Sequence, residues 1–303
     1  MSLLSDILQR TRADLVERQS RLPLSELRRR ADDMPPPKSL KDALSNGFSI
    51  IGEIKRRSPT AGEMNSRNVA DALDVYNDCP IITAISVLTD EPFFGGSVDR
   101  LLQVRKATSK PILRKDFVVD EYQVWEARAF GADAILLMGA VHEKDPGRLE
   151  YLYQLAKALG LQALVEIGMS QAGPEQQAAI APRDAEIWGI NSRQFHSSPL
   201  KLRMRASKLF GQDFMTSRSR HRQLRGLIPP GKIAVAESGI HQPREIDELM
   251  ELRYNAALIG TAFLKSERRI ADVVSAFAER IADLKQAADA AHPDLAWQRT
   301  ASR

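Results

Sequence analysis

Eight short apolar runs alternate with longer amphipathic stretches from about Phe48 onward, and this alternation predicts an α/β protein built as a (β/α)8, or TIM, barrel. The runs are SIIGEI (49–54), IITAISVL (81–88), PILR (111–114), ADAILLM (132–138), QALVEI (162–167), EIWGIN (186–191), KIAVAE (232–237) and AALIGT (256–261). A doubly wound sheet is the structural alternative. It is disfavoured because the first run is followed by KRRSPTAG, which is no Gly-x-Gly-x-x-Gly turn.

Helical patterns lie between these runs and ahead of them. Examples are SVDRLLQVRKATS, DEYQVWEARAFG, PGRLEYLYQLAKALG and QPREIDELMELR, several of which begin with a capping residue or end in glycine. Residues 3–19 and 23–32 also carry apolar residues at helical spacing, and the prolines of DDMPPPKSL end this region. We therefore predict an N-terminal helical extension that packs on the barrel (1–47), the barrel (48–285) and a C-terminal tail with the composition of a frayed end (286–303).

Composition excludes several classes of protein. Cys79 is the single cysteine among 303 residues, which excludes an intrachain disulfide framework and a cysteine-rich metal site. The N-terminal residues meet charge within six positions and lack a signal-peptide core, and no apolar run approaches the ~20 residues of a membrane helix. We expect a cytoplasmic protein that does not contact a membrane. The net charge of +4 suits an anionic small substrate and is too weak to predict nucleic-acid binding.

Polar residues stand at the C-terminal ends of the predicted strands, where barrels of this class carry their chemistry. Glu53 and Lys55 are two positions apart, so both can point into the barrel mouth. The other strand ends supply Arg114-Lys115-Asp116, Glu166, Asn191-Ser192-Arg193, Glu237-Ser238-Gly239 and Gly260-Thr261. One such group can simply mark the exit of a strand to solvent, but several carboxylates and cations at one end of a barrel predict an acid–base site.

Two short motifs indicate phosphate binding. ESGI follows the seventh predicted strand and IGTAF follows the eighth, and each combines glycine with a hydroxyl side chain. This composition lets backbone N–H groups approach an anion, and phosphate sites recur at these two positions in barrels. The candidate phosphate ligands are Ser238, Gly239, Gly260 and Thr261.

Seven blocks of the chain, in order, resemble the indole-3-glycerol phosphate synthase family. They are IIGEIKRRSPTAG, AISVLTDEPFFGGSVDRLLQVR, PILRKDFVVDEYQVWEARAFGADAILLM, LVEI, WGINSR, VAESGI and LIGTAFL, and they cover roughly residues 48 to 265. The stretch LRKDF followed by YQVWEARAFGADAILL is highly specific. The N-terminal helices also look like the extra segment that precedes the barrel in this family.

The resemblance implies a lyase of tryptophan biosynthesis. Its substrate would be 1-(2-carboxyphenylamino)-1-deoxyribulose 5-phosphate, which undergoes ring closure, decarboxylation and dehydration to indole-3-glycerol phosphate. No metal and no organic cofactor would take part. This chemistry requires an acid for the carbonyl oxygen, a second acid–base pair for the dehydration, and a pocket for an aromatic ring.

The resemblance also implies roles for individual residues. Lys115 would be the first acid, and Glu166, Lys55 and Glu53 would handle the departing hydroxyl, with the acid among them left open. Asn191 would orient the substrate. Ser58, Arg193, Ser238, Gly239, Gly260 and Thr261 would surround its polar and phosphate ends, and Phe93, Phe117 and Leu136 would line the ring pocket. The structural alternatives are an ion pair for Glu53 and Lys55, a core position for Phe117 and a helix cap for Ser58.

The chain departs from the family pattern between Arg193 and the seventh predicted strand, where it looks longer than usual. Residues 201–225 contain eight Lys or Arg and one acidic residue, Asp213, so this segment carries +7 and the remainder of the +4 chain carries −3. The segment could be a solvated loop, could steer the anionic substrate, or could dock an acidic partner. It has few aromatic residues, which argues against stacking on single-stranded nucleic acid.

Two functional hypotheses follow, and they belong to different classes. The first is the synthase, acting as a monomer or weak homo-oligomer. The alternative is a barrel homologue with altered or lost activity that uses its basic 201–225 segment to bind a partner. Phosphoribosylanthranilate isomerase shares the predicted phosphate site, but its reaction does not call for the pairing of Lys115 with Glu166.

Overall fold

The computed structural model describes residues 3–170, 172–194 and 219–291 and contains a closed barrel of eight parallel strands. The strands are β1 (Ser49–Ile54), β4 (Ile82–Leu88), β5 (Ile112–Lys115), β6 (Ala134–Met138), β7 (Gln162–Met169), β8 (Ile187–Gln194), β9 (Ile233–Glu237) and β10 (Ala256–Ile259). Each pairs with the next, and β10 closes the barrel on β1. A two-stranded hairpin of β2 (Arg57–Ser58) and β3 (Gly62–Glu63) follows β1. The predicted (β/α)8 fold is confirmed.

Helices precede the barrel and alternate with its strands. The N-terminal ones are α1 (Leu3–Arg21), α2 (Leu24–Asp32) and α3 (Leu40–Ala43). The others are α4 (Ser66–Asp78), α5 (Glu91–Phe94), α6 (Val98–Ala107), α7 (Glu121–Ala129), α8 (Gly139–His142), α9 (Pro146–Ala158), α10 (Pro174–Ile180), α11 (Ser219–Leu224), α12 (Glu245–Glu251), α13 (Thr261–Leu264) and α14 (Ile270–Ala291), with a 3₁₀ turn at Arg225–Leu227. Within the described residues, no helix is both long and apolar enough to cross a membrane.

Strand periodicity separates two apolar clusters and decides which polar residues face the barrel axis. Successive strand residues point to opposite faces, so Ile51 belongs to the inner cluster and Ile50 to the cluster between strands and helices. The same alternation along β5 places Leu113 inside and Ile112 outside. On β1 and β5, residues that lie an even number of positions from Ile51 or Leu113 therefore face the barrel axis. Residues an odd number of positions away face the helices.

The N-terminal helices pack directly on the barrel. Tyr122 of α7 donates its hydroxyl to the carbonyl oxygens of Arg18 (3.1 Å) and Leu22 (2.9 Å), which fixes the end of α1. Ile7, near the start of α1, is fully buried in the inner apolar cluster.

The predicted domain boundaries at 47 and 285 stay predictions. α14 continues through the second of them, and residues 292–303 lie outside the described residues.

The ends of several elements differ from the prediction. β7 and β8 continue past their predicted ends, and Lys115 is the last residue of β5 rather than the first residue after it. The hairpin β2–β3 and the four-residue helices α5, α8 and α13 were not predicted. These elements are too short to show a periodic pattern. In α5, local capping contributes, since Asp90 accepts hydrogen bonds from Phe93 N (2.8 Å) and Phe94 N (3.2 Å).

Candidate active site

Lys115 lies between two glutamates at the carboxyl ends of the strands. Its Nζ is 3.5 Å from Glu166 Oε2 and 3.3 Å from Glu237 Oε2. Lys115 is two steps from inward-facing Leu113 on β5, while Glu166 and Glu237 come from β7 and β9. Three strands that are distant in sequence therefore bring one lysine and two glutamates together, and all three side chains are largely withdrawn from solvent.

A second charged pair lies on β1. Lys55 Nζ donates to Glu53 Oε1, and both residues are buried. They share the inward face with Ile51, as the two-residue spacing predicted. The charge of Lys115 acts on Glu53, and the charge of Arg193 from β8 acts on both Glu53 and Lys55. The pair on β1 and the triad on β5, β7 and β9 thus form one cluster.

Two glycines make room for these carboxylates. A Cβ at Gly260 would lie 2.3 Å from Glu53 Oε1, and a Cβ at Gly189 would lie 2.1 Å from Glu237 Oε1. Contacts this short are excluded, so any side chain at either position would displace a glutamate. Gly260, predicted as a phosphate ligand, therefore also sets the position of Glu53.

The cluster shifts the proton affinities of its members. Burial alone would lower the pKa of Lys115, but the charges of Glu237, Glu166 and Glu53 outweigh burial and raise it. Burial and the neighbouring charge of Glu166 raise the pKa of Glu237 to about 8, and Lys115 offsets them only in part. Near neutral pH, Lys115 and Glu237 therefore both hold protons inside the site.

The pair on β1 is shifted in a different way. Burial lowers the pKa of Lys55 despite its contact with Glu53. Burial would raise the pKa of Glu53, but the charges of Lys55 and Lys115 and the hydrogen bond from Lys55 lower it below the ordinary value. Glu53 is thus held ionised, and Lys55 gives up its proton more readily than an exposed lysine does.

Several polar atoms at this end of the barrel are buried without a hydrogen-bond partner in the described part of the chain. Those at inward-facing positions are both carboxylate oxygens of Glu237, Glu166 Oε2, Arg193 Nε and Ser86 Oγ. Ser86 pairs in register with Glu53 and shares the inward face with Ala84 and Leu88. Buried polar groups are rarely left unpaired in a folded protein, so this set is suited to receive a polar ligand.

The predicted phosphate residues occupy two sharp turns. Ser238 and Gly239 follow β9 with φ of 65° and 73°, and the left-handed region is unfavourable for serine. Gly260 is the N-cap residue of α13, and Thr261 is the first residue of that helix. Turns of this kind can present backbone N–H groups to an anion. Both turns lie at the barrel end that carries Glu237 and Glu53.

The predicted ring-pocket residues belong to one apolar cluster. Phe117 and Leu136 are buried in the inner cluster, and Phe93 packs against it. Phe117 lies 6.2 Å from Phe94 between ring centroids. The apolar surface is thus beside the charged cluster, since Phe117 is two residues from Lys115 and Leu136 is on the neighbouring strand.

Two further predicted ligands make mainly local contacts. Ser58 is buried in the hairpin, where its Oγ lies 3.1 Å from Thr60 Oγ1. Asn191 Oδ1 accepts a hydrogen bond from Arg193 N at 3.0 Å, which shapes the end of β8. Asn191 is buried and pairs in register with Glu237, so it borders the triad. Ser58 has no described contact with the triad.

Sequence reasoning did not select Glu237 and misread Arg114. Glu237 is the last residue of a predicted strand, and this position, shared with the other candidate acid–base residues, could have identified it. Arg114 was counted among the strand-end charges, but it points outward and is completely buried between β5 and α7. The two-residue period of a strand, applied to residues 113–116, distinguishes it from Lys115.

Most of the basic segment lies outside the described residues, namely 201–218. The remaining arginines contact the protein itself. Arg220 donates to the carbonyl of Ser192, and Arg222 Nε is 2.8 Å from Glu248 Oε1.

Among the described residues, no group of three His, Cys, Asp or Glu side chains is placed to hold a metal ion.

The fold and the cluster together define an acid–base barrel protein, with lysines and glutamates at the carboxyl ends of the strands and two glycine turns after the last two strands. The family model described as indole-3-glycerol phosphate synthase matches residues 4–275. The chain belongs to the indole-3-glycerol phosphate synthase family.

Sequence relatives agree with this assignment. The chain is 36% identical over 285 residues to an indole-3-glycerol phosphate synthase of Kineococcus radiotolerans, with 91% of this chain and 96% of the relative covered. It is 38% identical over 268 residues to one of Nocardioides sp., with coverage of 88% and 94%. The predicted family and its lyase function in tryptophan biosynthesis are confirmed, and the alternative of a binding protein is not favoured.

Solved structures confirm the fold alone. The 3-hexulose-6-phosphate synthase of Salmonella typhimurium superposes with a TM-score of 0.55 at 12% identity, covering 78% of this chain and 99% of that one. The N-(5'-phosphoribosyl)anthranilate isomerase of Pyrococcus furiosus gives 0.51 at 11% identity, with coverage of 78% and 99%. At such identities, shared architecture carries no information about the reaction.

Proposed function

We propose that the chain converts 1-(2-carboxyphenylamino)-1-deoxyribulose 5-phosphate to indole-3-glycerol phosphate, with Lys115 as the acid of the ring-closing step. The observation that carries this assignment of Lys115 is its position between Glu166 and Glu237. A buried ammonium flanked by two carboxyl groups is held in one place and stays charged at neutral pH. It can therefore donate to the carbonyl oxygen as negative charge develops there.

Ring closure joins the aromatic carbon that bears the carboxylate to the ribulose carbonyl carbon. The proton from Lys115 neutralises the oxygen as the new bond forms. Loss of carbon dioxide then returns the bonding electrons to the ring system. The cationic groups of the site, Lys115 and Lys55, reduce the cost of bringing a carboxylate beside Glu53 and Glu166.

Dehydration needs an acid for the leaving hydroxyl and a base for the proton that leaves the ring. Glu237 holds a proton at neutral pH because burial and Glu166 raise its pKa to about 8. Lys55 is the other proton donor, since burial lowers its pKa. Glu166 is placed to take part as a base, because one of its oxygens is buried without a hydrogen-bond partner in the described part of the chain.

Binding of the substrate would use the surroundings of the cluster. The turns at Ser238-Gly239 and Gly260-Thr261 would hold the phosphate, with Arg193 as a cation nearby. Phe93, Phe117 and Leu136 would contact the aromatic ring. Asn191 would border the substrate hydroxyls, while Ser58 would contact the polar or phosphate end of the substrate from the hairpin.

The cytoplasmic location and the state of monomer or weak homo-oligomer stay predictions.

The activity is tested by incubating the purified chain with the carboxyphenylamino-deoxyribulose phosphate and following indole fluorescence. The expected result is a fluorescence increase that is proportional to enzyme concentration, accompanied by release of carbon dioxide. The matched control is Lys115→Ala, which should give neither signal. A wild-type chain that binds the substrate but forms no indole would contradict the proposal.

A further inference from the structure

Arg114 and Asp116 flank Lys115 in sequence but face the opposite side of the strand end. Arg114 is 0% exposed, and each of its three guanidinium nitrogens donates a hydrogen bond. Both oxygens of Asp116 accept, from Thr89 Oγ1 and Arg114 Nη2 on one side and from Phe117 N on the other. Neither residue contacts the acid–base cluster, so their role is not substrate binding.

Thr89 connects these two residues to the backbone of Lys115. Its N–H donates to Lys115 O at 3.2 Å. Its Oγ1 accepts from Arg114 Nε at 3.0 Å and donates to Asp116 Oδ2 at 2.7 Å. Thr89 thus holds the carbonyl of Lys115 and the side chains of both its neighbours from the outer side of the strand, while the lysine side chain extends into the barrel.

The contacts continue outward to the N-terminal helix. Arg114 Nη2 donates to Glu126 Oε2 at 2.7 Å, and Arg18 Nη1 of α1 donates to the same oxygen at 3.0 Å. Arg114 Nη1 also donates to Gln123 O at 2.7 Å. A continuous path of hydrogen bonds therefore joins α1, through Glu126, Arg114 and Thr89, to the backbone of Lys115.

The composition of this path indicates a function beyond stability. Two arginines and two carboxylates balance in charge, but Arg114, Asp116 and Glu126 are desolvated, and a buried ion network is often no more stable than apolar packing of the same volume. What such a network provides is a fixed geometry, because its donors and acceptors match in only one arrangement. The geometry fixed here is that of the residue at the centre of the acid–base cluster.

We propose that Arg18, Glu126, Arg114 and Asp116 form a positioning network that holds Lys115 against its two glutamates. The docking of α1 on α7 is thereby coupled to the chemical step. Arg18 is a positioning residue although it lies outside the barrel. This inference rests on the proposed role of Lys115 as the acid. Weakening the network should lower turnover and leave substrate binding unchanged.

The decisive comparison is between two arginines of the same helix. Arg18→Gln removes the outermost charge of the network at a side chain that is 25% exposed, so the barrel should still fold. Arg21→Gln is the matched control, because Arg21 is 74% exposed and pairs only with Glu17 in the described part of the chain. We expect kcat of Arg18→Gln to fall by about 3- to 10-fold, since misplacement of a reacting group by 1 Å can cost about 100-fold.

KM should stay within about twofold of wild type in both variants, since removing an interaction that matters only in the transition state lowers kcat alone. Arg18→Lys keeps the charge and should recover part of the loss. Glu126→Gln should lower kcat as well, and adding Arg18→Gln to it should have little further effect, because both act through one oxygen.

Equal kcat for Arg18→Gln and Arg21→Gln would overturn the positioning role, as would a rise in KM at unchanged kcat. The same assays separate this inference from the proposed function. If Lys115→Ala is inactive and Arg18→Gln has the kcat of wild type, only the positioning role of the network is excluded. Full activity of Lys115→Ala would exclude both the acid role of Lys115 and the positioning role of the network.

Discussion

Two groups of buried charges lie on opposite faces of the chain at the end of β5. Arg114 and Asp116 of the outer network have hydrogen-bond partners that the glutamates of the inner cluster lack, and Arg18 Nε, at the edge of the outer network, is the exception within it. In the outer network, all three guanidinium nitrogens of Arg114 donate and both oxygens of Asp116 accept. In the inner cluster, both oxygens of Glu237 and one oxygen of Glu166 are buried without a hydrogen bond in the described part of the chain. Adjacent residues at the end of β5 thus have different roles. Arg114 and Asp116, whose polar atoms are hydrogen-bonded, support the fold, and the inner cluster around Lys115 has polar atoms available to a substrate.

This contrast predicts that substitutions in the inner cluster lower turnover without unfolding the protein, whereas substitutions in the buried part of the outer network also lower the free energy of unfolding. Lys115→Ala should reduce turnover by about 10²–10⁴, because a methyl group cannot donate a proton. Lys115→Arg should fail similarly, since a planar, branched guanidinium cannot take the position of the compact ammonium between the two glutamates. Steady-state assays measure the loss, and circular dichroism should show an intact fold. Either variant keeping more than about a tenth of wild-type activity would exclude Lys115 as a general acid.

Arg114→Gln should have the complementary effect on the free energy of unfolding. Removing one partner from a buried ion pair typically costs about 3–5 kcal/mol, because carboxylates are left buried without their cation. Urea unfolding should show this loss in Arg114→Gln and only a small change in Lys115→Ala. If Arg114→Gln unfolds at the wild-type midpoint, the outer network is not structural.

Glu166→Gln tests the inner cluster with a smaller change. The amide keeps the size of the side chain and can still form hydrogen bonds, but it cannot exchange a proton. We expect turnover to fall by roughly 10², with a smaller effect on KM. Weaker binding at unchanged turnover, measured in the same initial-rate experiments, would mean that Glu166 only positions the substrate.

The proton held by Glu237 predicts a pH dependence. Because burial and Glu166 raise its pKa to about 8, turnover should fall as pH rises through that value, and Glu237→Gln should lose this alkaline limb. The folded state binds this proton more tightly than the unfolded state does. Stability from this group is therefore present below the ordinary glutamate pKa of 4.5 and is lost as pH rises towards about 8. An alkaline limb that is unchanged in Glu237→Gln would assign it to another group, with Lys55 the first candidate.

The smallest effect is expected from the basic segment. Replacing Arg203, Arg205, Lys208 and Arg218 with Gln should lower kcat/KM at low salt if these residues steer the anionic substrate. Arg220 and Arg222 are kept, because they contact Ser192 and Glu248. The difference should shrink as salt rises, since the screening length is about 8–10 Å at physiological ionic strength. Saturated turnover should not change. Equal kcat/KM at low salt would leave the segment as a solvated loop or a docking surface.

Sequence reasoning located the strands and most of the charged residues that meet at the barrel end, because both follow from local patterns. The run SIIGEI was predicted as a strand over the same residues that form β1, and the two-residue spacing of Glu53 and Lys55 predicted that both point into the barrel mouth. Contacts across the barrel are different. The position of Glu237 beside Lys115 depends on barrel closure and on the space left by Gly189, and neither is a property of a single segment.

The outer network was missed for a related reason. Three adjacent charges at 114–116 predicted a strand that ends at solvent or at a site, whereas only Lys115 faces the site. Burial of Arg114 is possible because Glu126 and Thr89 arrive from other elements. A sequence shows that a charge sits in an apolar strand, but it does not show which residues neutralise it.

The measurement that tests the central claim most directly is chemical restoration of the ammonium at position 115. Lys115→Cys can be treated with 2-bromoethylamine, which adds an aminoethyl group to the thiol. The reaction is done in a Cys79→Ser background, because Cys79 is a partly exposed thiol that would also react. Single-turnover indole formation is then compared before and after labelling, with labelling at position 115 verified by mass spectrometry. Our account predicts an inactive untreated variant and recovered indole formation after treatment. Wild-type rates before labelling, or no recovery in the fully labelled protein, would contradict it.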